Sequence, residues 1–253
     1  MRVLVTGATG RVGREVLAQL AAFGGIGRAL VRNPLTAQLP TNTELSKADF
    51  TIPETLDDSD CMDDVDAVFL VWTAPPATIQ PVLDRMLRFR LGRRPRIVFL
   101  SSPYKTAHPF FQAAQPNPVT ALHQEIERLI QNSGCEWTFL RPGMFSANAL
   151  WWWAPQIRNG LDIIRWPYAD ARTAPIDERD IAAVAVRALC EIGHAGADYV
   201  LTGPESLSQA EQVEIIGQVI GRPLRLQDIS PEEARREMFA DGPPVVTRLL
   251  FDA

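Results

Sequence analysis

The sequence predicts an α/β fold in which a doubly wound parallel sheet is followed by a smaller α+β part. Short apolar runs alternate with longer segments of helical periodicity, a glycine-rich turn follows the first apolar run, and the rhythm changes after about residue 145. Uninterrupted apolar runs are typical of strands buried on both faces of a parallel sheet. We therefore expect a first domain over residues 1–145 and a smaller region over residues 146–253 that packs on it without folding independently.

The elements follow in order along the chain. Six strands of the sheet are expected at residues 3–5, 26–31, 45–48, 67–71, 97–100 and 137–140, with helices at residues 14–22, 76–90 and 119–132. In the smaller region, strands are expected at residues 173–176, 199–201 and 224–227, with a helix at residues 177–190 and others that begin near residues 208 and 231. Ser208-Gln209-Ala210-Glu211 is typical of a capping box at a helix start.

Composition and charge exclude several classes of protein. Hydrophobic residues make up 46% and charged residues 22% of the chain, which is ordinary for a globular protein. With 25 basic and 30 acidic residues the net charge is −5, so the chain has no general electrostatic reason to bind nucleic acid. We expect no membrane span and no signal peptide. Because Cys61, Cys135 and Cys190 show no paired spacing, we expect no disulfide, no metal site and a cytoplasmic location.

The glycine-rich turn is the sharpest signal in the sequence. Glycines at positions 7, 10 and 13 follow a strand and open a helix. The first allows a tight turn, the second allows the backbone to approach a pyrophosphate, and the third lets the helix lie close to the strand, while the helix N-terminus favours the anion. The turn predicts a dinucleotide site that comprises Gly7, Ala8, Thr9, Gly10, Arg11, Val12 and Gly13. A turn of the same sequence without a ligand is the alternative.

Arg32 ends the second predicted strand, where a site selective for NAD usually places an acid that accepts hydrogen bonds from the ribose 2′-hydroxyl. An arginine at this point pairs instead with a 2′-phosphate. Arg11, in the glycine turn, is expected to add a second positive charge. The sequence therefore favours NADP(H) as the cofactor, and a solvated arginine at the strand end is the alternative.

The chain resembles the NmrA-like, atypical branch of the short-chain dehydrogenase/reductase superfamily. The segments that carry the resemblance are residues 6–13, 29–34, 48–50, 123–127, 133–142 and 174–182. The resemblance implies a Rossmann sheet that binds NAD(P), and it places further cofactor contacts after successive strands. These implied contacts are Asp49 and Phe50 beside the adenine, Trp72, Thr73 and Ala74 along the ribose and pyrophosphate path, Ser101 and Ser102 on the nicotinamide side, and Pro142, Gly143 and Phe145 over the carboxamide.

One departure from that family concerns catalysis. Family members with the usual chemistry carry Tyr-x-x-x-Lys on the helix before the sixth strand, and none of the three tyrosines in this chain is followed by lysine four residues later. The matching helix offers His123 and Glu127, whose spacing places them on one helical face. We expect His123 to be the first candidate for the proton donor, with Glu127 favouring its charged form, and Tyr104 to be the reserve. A hydrogen-bonded pair without a catalytic role is an equal alternative.

Aromatic residues are concentrated after the sixth strand, where five of the six tryptophans lie between residues 137 and 166. Three consecutive tryptophans cannot all point into one core from a helix, because neighbouring side chains are about 100° apart. At least one of them should line a cleft or an interface. The expected substrate pocket is apolar and comprises Met144, Trp152, Trp153, Trp166 and Tyr168. A core with a dimer contact is the alternative.

The sequence thus predicts an NADPH-dependent reductase that acts on a small apolar or aromatic carbonyl, enone or quinone, with the proton supplied by His123, Tyr104 or water. Two alternatives stay open, a non-catalytic NADP(H) sensor and a non-redox isomerase or cyclase that uses the same pocket. The expected partners are a small-molecule substrate and a second copy in a homodimer.

Overall fold

The computed structural model describes residues 1–87, 94–103 and 118–238. Tyr104, the reserve proton donor, lies outside these residues. The described chain divides into two compact units. The first comprises the described residues up to Pro142 together with Glu178–Leu201, and the second comprises Gly143–Asp177 and the residues from Thr202 onward.

The described residues form eleven strands. In chain order β1 to β11 are Arg2–Val5, Ile26–Val31, Glu44–Lys47, Ala67–Leu70, Arg96–Leu100, Trp137–Pro142, Ile163–Trp166, Arg172–Thr173, Ala197–Leu201, Leu207–Ser208 and Arg225–Asp228. The first unit holds a seven-stranded sheet in the order β3-β2-β1-β4-β5-β6-β9, and all its neighbours are parallel. The predicted fold class, a doubly wound parallel sheet, is confirmed.

Eight α-helices lie in the described residues. In chain order α1 to α8 are Arg11–Ala22, Ile79–Met86, Pro118–Asn132, Ala149–Trp152, Ala154–Arg158, Glu178–Cys190, Gln209–Ile220 and Pro231–Met238. Short 3₁₀ turns occur at Pro53–Leu56, Pro76–Thr78 and Ser146–Asn148. None of the helices in the described ranges is both long and apolar enough to cross a membrane.

The core of the first unit follows from the apolar runs. Every residue of β4 is at most 2% exposed, as expected for a strand covered on both faces. Helix α1 buries the stripe Val12, Val16, Leu17 and Leu20, whose spacing gives one apolar face. The same helix packs on α6, and the side chain of Gln19 donates to the Arg179 carbonyl at 3.0 Å.

The division of the chain differs from the expected one at residue 145. Helix α6 and strand β9 return to the first unit, where β9 pairs with β6 as the last strand of the sheet. The segment at residues 199–201 was expected in the smaller region because it lies beyond the change of rhythm at about residue 145, and a strand that returns to the sheet leaves no local sign of its partner.

The second unit contains two pairs of short strands. Strand β11 pairs with β7 in parallel, and β10 pairs with β8 in antiparallel fashion. The capping box at the start of α7 is confirmed, since the Ser208 amide donates to the Glu211 carboxylate at 2.7 Å and the Glu211 amide donates to the Ser208 hydroxyl at 3.1 Å. Gly221 ends that helix at φ +70°. Strand β7 was not expected from the sequence.

Candidate functional site

The glycine turn joins β1 to α1 at the carboxyl edge of the sheet. Thr6 is 2% exposed, and its hydroxyl accepts a hydrogen bond from the Val71 amide at 2.7 Å and lies 3.0 Å from the Val71 carbonyl, to which it donates. This residue therefore fixes the end of β1 against the end of β4. The start of the glycine turn is therefore fixed by hydrogen bonds of a buried side chain.

Two of the three glycines have no room for a side chain. Gly7 has φ +60°, and a Cβ atom there would lie 2.9 Å from the Val71 Cβ. At Gly13 a Cβ would lie 2.4 Å from the Gly7 carbonyl oxygen. The structure therefore gives Gly7 the tight turn and Gly13 the close approach of helix to strand, as the sequence predicted.

Gly10 stands at the N-cap of α1, where its amide donates to the Gly7 carbonyl at 2.9 Å. A glycine N-cap has no side chain that can accept hydrogen bonds from the first-turn amides. Those N–H groups are left for an anion at the positive end of the helix dipole.

A cavity of about 760 Å³ opens beside the turn, within the first unit. It lies at the carboxyl ends of β1, β2, β3 and β4, where ligands bind in open α/β sheets. Nine of the residues expected to contact a cofactor line it, namely Gly7, Ala8, Thr9, Gly10, Arg32, Asp49, Phe50, Thr73 and Ala74. The sequence analysis missed Arg14, Val31, Asn33, Thr36, Gln38 and Val71, which also line it. Volume and lining fit a dinucleotide, because ligand pockets span about 300–1,000 Å³.

Trp72 does not take the expected position along the ribose path. Its side chain is 8% exposed and lies in the core, where its ring packs on Phe50 at 5.3 Å between centroids and its indole N–H donates to the Ala74 carbonyl at 2.8 Å. Val71 and Thr73 line the cavity instead, since successive residues of an extended segment point to opposite sides. Trp72 thus supports the cavity wall from behind.

Arg11 and Arg14 also differ from expectation. Both are exposed residues of α1, but among the described residues Arg14 lines the cavity and Arg11 does not. Val12 and Gly13 are buried and serve packing between helix and sheet. Arg32 is exposed and lines the cavity, and its contact with a 2′-phosphate stays a prediction.

A second group of polar side chains lies at the carboxyl ends of β5 and β6. The Ser101 hydroxyl donates to the Glu127 carboxylate at 2.6 Å, and Arg141 forms a two-point ion pair with Glu127 at 2.9 and 3.2 Å. The side chains of Arg141 and Glu127 are 2% and 4% exposed. Arg141 also pairs with Asp198 of β9. Burial acts to lower the pKa of Arg141, but the hydrogen bonds and charges of Glu127 and Asp198 outweigh it and raise that pKa.

Ser102 directly follows this network. Its hydroxyl oxygen is buried and has no hydrogen-bond partner within the described part of the chain. A buried hydroxyl without a partner is costly, and the contact of Ser102 with the nicotinamide side stays a prediction. Pro142 is buried at the end of β6, and in the second unit the Phe145 backbone forms a β-bridge with Ile176.

His123 is held by its own helix. Its Nδ1 lies 2.7 Å from the Val119 carbonyl oxygen, which only accepts, so Nδ1 carries the hydrogen. The ring stacks on Phe99 at 5.8 Å. Burial lowers the pKa of His123, against the opposing effects of the Val119 carbonyl and the Glu127 charge. The Glu127 charge favours the protonated imidazole, as expected, but desolvation is the larger effect, so the pKa of His123 is lowered overall.

The expected substrate pocket lies in the second unit, and the structure favours the core alternative for its tryptophans. Trp153 and Trp166 are 1% and 4% exposed, and Trp152 stacks on Trp166 at 5.6 Å. Of the three consecutive tryptophans, Trp151 is the one that points outward, with 75% of its surface exposed.

Met144 and Tyr168 complete the predicted set. The Met144 carbonyl accepts from the Ile176 amide at 2.8 Å, and Tyr168 is 41% exposed with φ +62°. A left-handed conformation is uncommon for a residue other than glycine and occurs mainly in turns. Whether these two residues contact a substrate stays a prediction.

The sequence is similar to a known protein family and to characterised proteins. The sequence profile of the NAD(P)H-binding family matches residues 7–191. The chain belongs to this family. A "(4-alkanoyl-5-oxo-2,5-dihydrofuran-3-yl)methyl phosphate reductase" of Streptomyces griseus is 37% identical over 99% of the chain and 85% of its own length. An NAD(P)H azoreductase of Xenophilus azovorans is 32% identical over 96% of the chain and 82% of its own length.

A crystal structure of the NADPH-dependent quinone oxidoreductase of Escherichia coli, complexed with NADPH, shares the fold. The two structures superpose with a TM-score of 0.78 at 23% identity, over 99% of the chain and 87% of that protein. The predicted membership of an NAD(P)-binding family is confirmed by the profile match, and the predicted fold is confirmed by this structure.

Proposed function

We propose that the protein is an NADPH-dependent reductase whose substrate is a small conjugated acceptor such as a quinone or an enone. The observation that carries the proposal is the cavity beside the glycine turn, with Arg32 at its edge. Support for a reduction comes from the relatives of Streptomyces griseus and Xenophilus azovorans, whose names are those of reductases. The chain covers more than four fifths of each of them.

The chain's own residues hold the cofactor in this proposal. The amides of the first turn of α1 meet the pyrophosphate, Arg32 meets the 2′-phosphate, and Phe50 and Asp49 lie at the adenine end. Ser102, at the end of β5, is the proposed contact on the nicotinamide side. When bound, the reduced cofactor supplies a hydride, and the protein contributes orientation.

We choose a conjugated acceptor because the described residues offer no clear donor of the proton that follows the hydride. In neutral His123 the Nδ1–H is already donated to Val119, so Nε2 has a lone pair and no proton to give. An isolated ketone needs an acid, because an alkoxide is a strong base in water. A quinone or an enone spreads the added charge over a conjugated system, and the resulting anion takes its proton from water. The name of the Streptomyces griseus relative describes such a ring, in which a double bond is conjugated to a carbonyl.

The test is the loss of NADPH absorbance with matched substrates. We expect turnover with a quinone and an enone, and little or none with the saturated ketone of the same carbon skeleton. Equal rates with the saturated ketone would contradict the proposed acceptor class. Failure of the whole panel, with tight binding of both cofactor forms, would contradict the reductase itself.

The alternative is a non-catalytic sensor of NADP(H). It is favoured by the pairing of the buried charges at the ends of β5 and β6, where Glu127 and Arg141 bind each other. A sensor is expected to change a partner's binding with the redox state of the cofactor. A homodimer and a cytoplasmic location stay predictions.

A further inference from the structure

Arg14 occupies a position that the sequence analysis assigned to Arg11. It lies in the second turn of α1, four residues after Gly10, and it is exposed. It lines the same cavity as Arg32, together with Asn33 and Thr36 of the loop after β2. Asn33 holds that loop in an Asx turn, because its Oδ1 accepts from the Leu35 amide at 3.1 Å. The two arginines thus reach the cavity from separate elements, one from a helix and one from a strand end.

The charges around this cavity are out of balance. Elsewhere in the first unit arginines are neutralised locally, as where Arg2 and Arg28 share Glu44, each at 3.0 Å. Within the described part of the chain, neither Arg14 nor Arg32 has a carboxylate partner. Asp49 is the one acid among the described lining residues, and its Oδ1 already accepts two hydrogen bonds from Thr51, at 2.9 and 2.8 Å.

We propose that Arg14 and Arg32 together bind the 2′-phosphate of NADPH, so that Arg14 is a second residue that selects this cofactor over NADH. The inference rests on the proposed function and adds a specificity residue to it. A phosphate monoester carries close to two negative charges at neutral pH, and two guanidinium groups match it in charge and in hydrogen-bond geometry. The pyrophosphate has its own partners in the first-turn amides, one turn nearer to Gly10 than Arg14.

Arg11 provides a matched control. It belongs to the same helix, is exposed like Arg14 and has the same charge, but among the described residues it does not line the cavity. Arg11→Gln and Arg14→Gln therefore remove the same charge from neighbouring turns. Both side chains are exposed, so we expect the two variants to melt at the temperature of the unmodified protein.

The experiment is calorimetric titration of the full chain with NADPH and NADH, and with adenosine 2′,5′-bisphosphate and adenosine 5′-monophosphate. Arg14→Gln should weaken binding of NADPH and of the bisphosphate by about tenfold or more, which is the loss of one charge-assisted hydrogen bond. NADH and the monophosphate should bind within about twofold of the unmodified protein, and Arg11→Gln should bind all four ligands normally. Inorganic phosphate alone, in a further titration, should compete poorly with the bisphosphate.

Three results would overturn the inference in different ways. If Arg14→Gln binds NADPH normally while Arg32→Gln does not, Arg14 is a solvated residue and the proposed function stands. If Arg14→Gln weakens NADH as much as NADPH, the residue acts on the pyrophosphate. If the unmodified protein binds NADPH and NADH equally, the preference for NADPH fails along with the role of both arginines.

Discussion

The carboxyl ends of the parallel strands form two regions that differ in whether their charged side chains are paired within the protein. At the ends of β1 to β4 a cavity of about 760 Å³ is open, and Arg14 and Arg32 line it without carboxylate partners in the described chain. At the ends of β5 and β6 the charges are buried, and Arg141 and Glu127 satisfy each other. The charges at the ends of β1 to β4 are available to a ligand, whereas those at the ends of β5 and β6 pair with each other.

This difference matches the two ends of the proposed cofactor. Phosphates need cations and free amides, which the first region offers. At the second region the Ser101 hydroxyl is bonded to Glu127, while the buried Ser102 hydroxyl has no hydrogen-bond partner within the described residues. Affinity and reaction are therefore expected to respond to different substitutions.

The largest effect is expected from breaking the buried pair. Glu127→Ala removes the buried carboxylate that pairs with Arg141 and leaves that guanidinium buried, and removal of one member of a buried pair typically costs about 3–5 kcal/mol. For a chain of this size the melting temperature should fall by roughly 6–20 °C. Differential scanning calorimetry measures it.

The same helix supplies the control. Glu125→Ala removes an exposed carboxylate that pairs with Arg128 at 2.7 Å, and such surface pairs are worth at most about 1 kcal/mol. The double variant Glu127→Leu with Arg141→Met should recover much of the lost stability, because no unpaired charge stays buried. Equal melting temperatures for the Glu127→Ala and Glu125→Ala variants would show that the buried pair contributes little.

The next effect concerns binding at the open region. Gly10→Val places a branched side chain where the turn faces the cavity, and its Cβ would lie 3.1 Å from the Gly7 carbonyl oxygen. We expect NADPH affinity to fall on the order of 100-fold, through loss of charge-assisted bonds to the pyrophosphate.

Calorimetry measures the affinity, and a thermal melt separates it from damage to the fold. Gly25→Val is the control, since a Cβ there meets nothing closer than 3.4 Å and the residue lies beyond the other end of α1. An NADPH affinity of Gly10→Val within about twofold of that of the unmodified protein would mean that the turn is only structural.

A smaller effect is expected at Arg32. Arg32→Asp reverses the charge at the end of β2 and should weaken NADPH by at least about tenfold, while NADH, which lacks the 2′-phosphate, should bind as before or better. The ratio of the two dissociation constants is the quantity to compare. An unchanged ratio would place the 2′-phosphate elsewhere.

Much of the first unit could be predicted from the sequence, because its signals are local. The apolar runs of β1, β2 and β4 and the glycine turn each lie within a few residues, so the strands and their order of appearance follow directly. The capping box at Ser208 and Glu211 is equally local.

The partners and orientations of several side chains could not be predicted, because they depend on contacts across the sheet. Glu127 was read beside His123, four residues away, but its hydrogen bonds are made with Ser101 and Arg141, which lie 26 and 14 residues away. Trp72 was placed in the ligand path because the position of a strand end is easier to predict than the side on which each residue points.

The smallest effect is expected at His123. If the proton comes from water, His123→Gln should keep turnover within about threefold, whereas loss of a positioned acid typically costs about 10²–10⁴-fold. Burial lowers the pKa of His123 in the folded chain. As the pH falls below about 6.5, the imidazole is therefore protonated in the unfolded chain before it is protonated in the folded chain. The stability that the neutral imidazole contributes is full above this pH and is lost as the pH falls through the lower folded pKa. Melting temperatures between pH 5 and 8 should therefore decline less on the acid side for His123→Gln than for the unmodified protein, with His194→Gln as the control. A hundredfold loss of turnover with unchanged NADPH affinity would instead make His123 the proton donor, and the ends of β5 and β6 would then supply an acid as well as a fixed geometry.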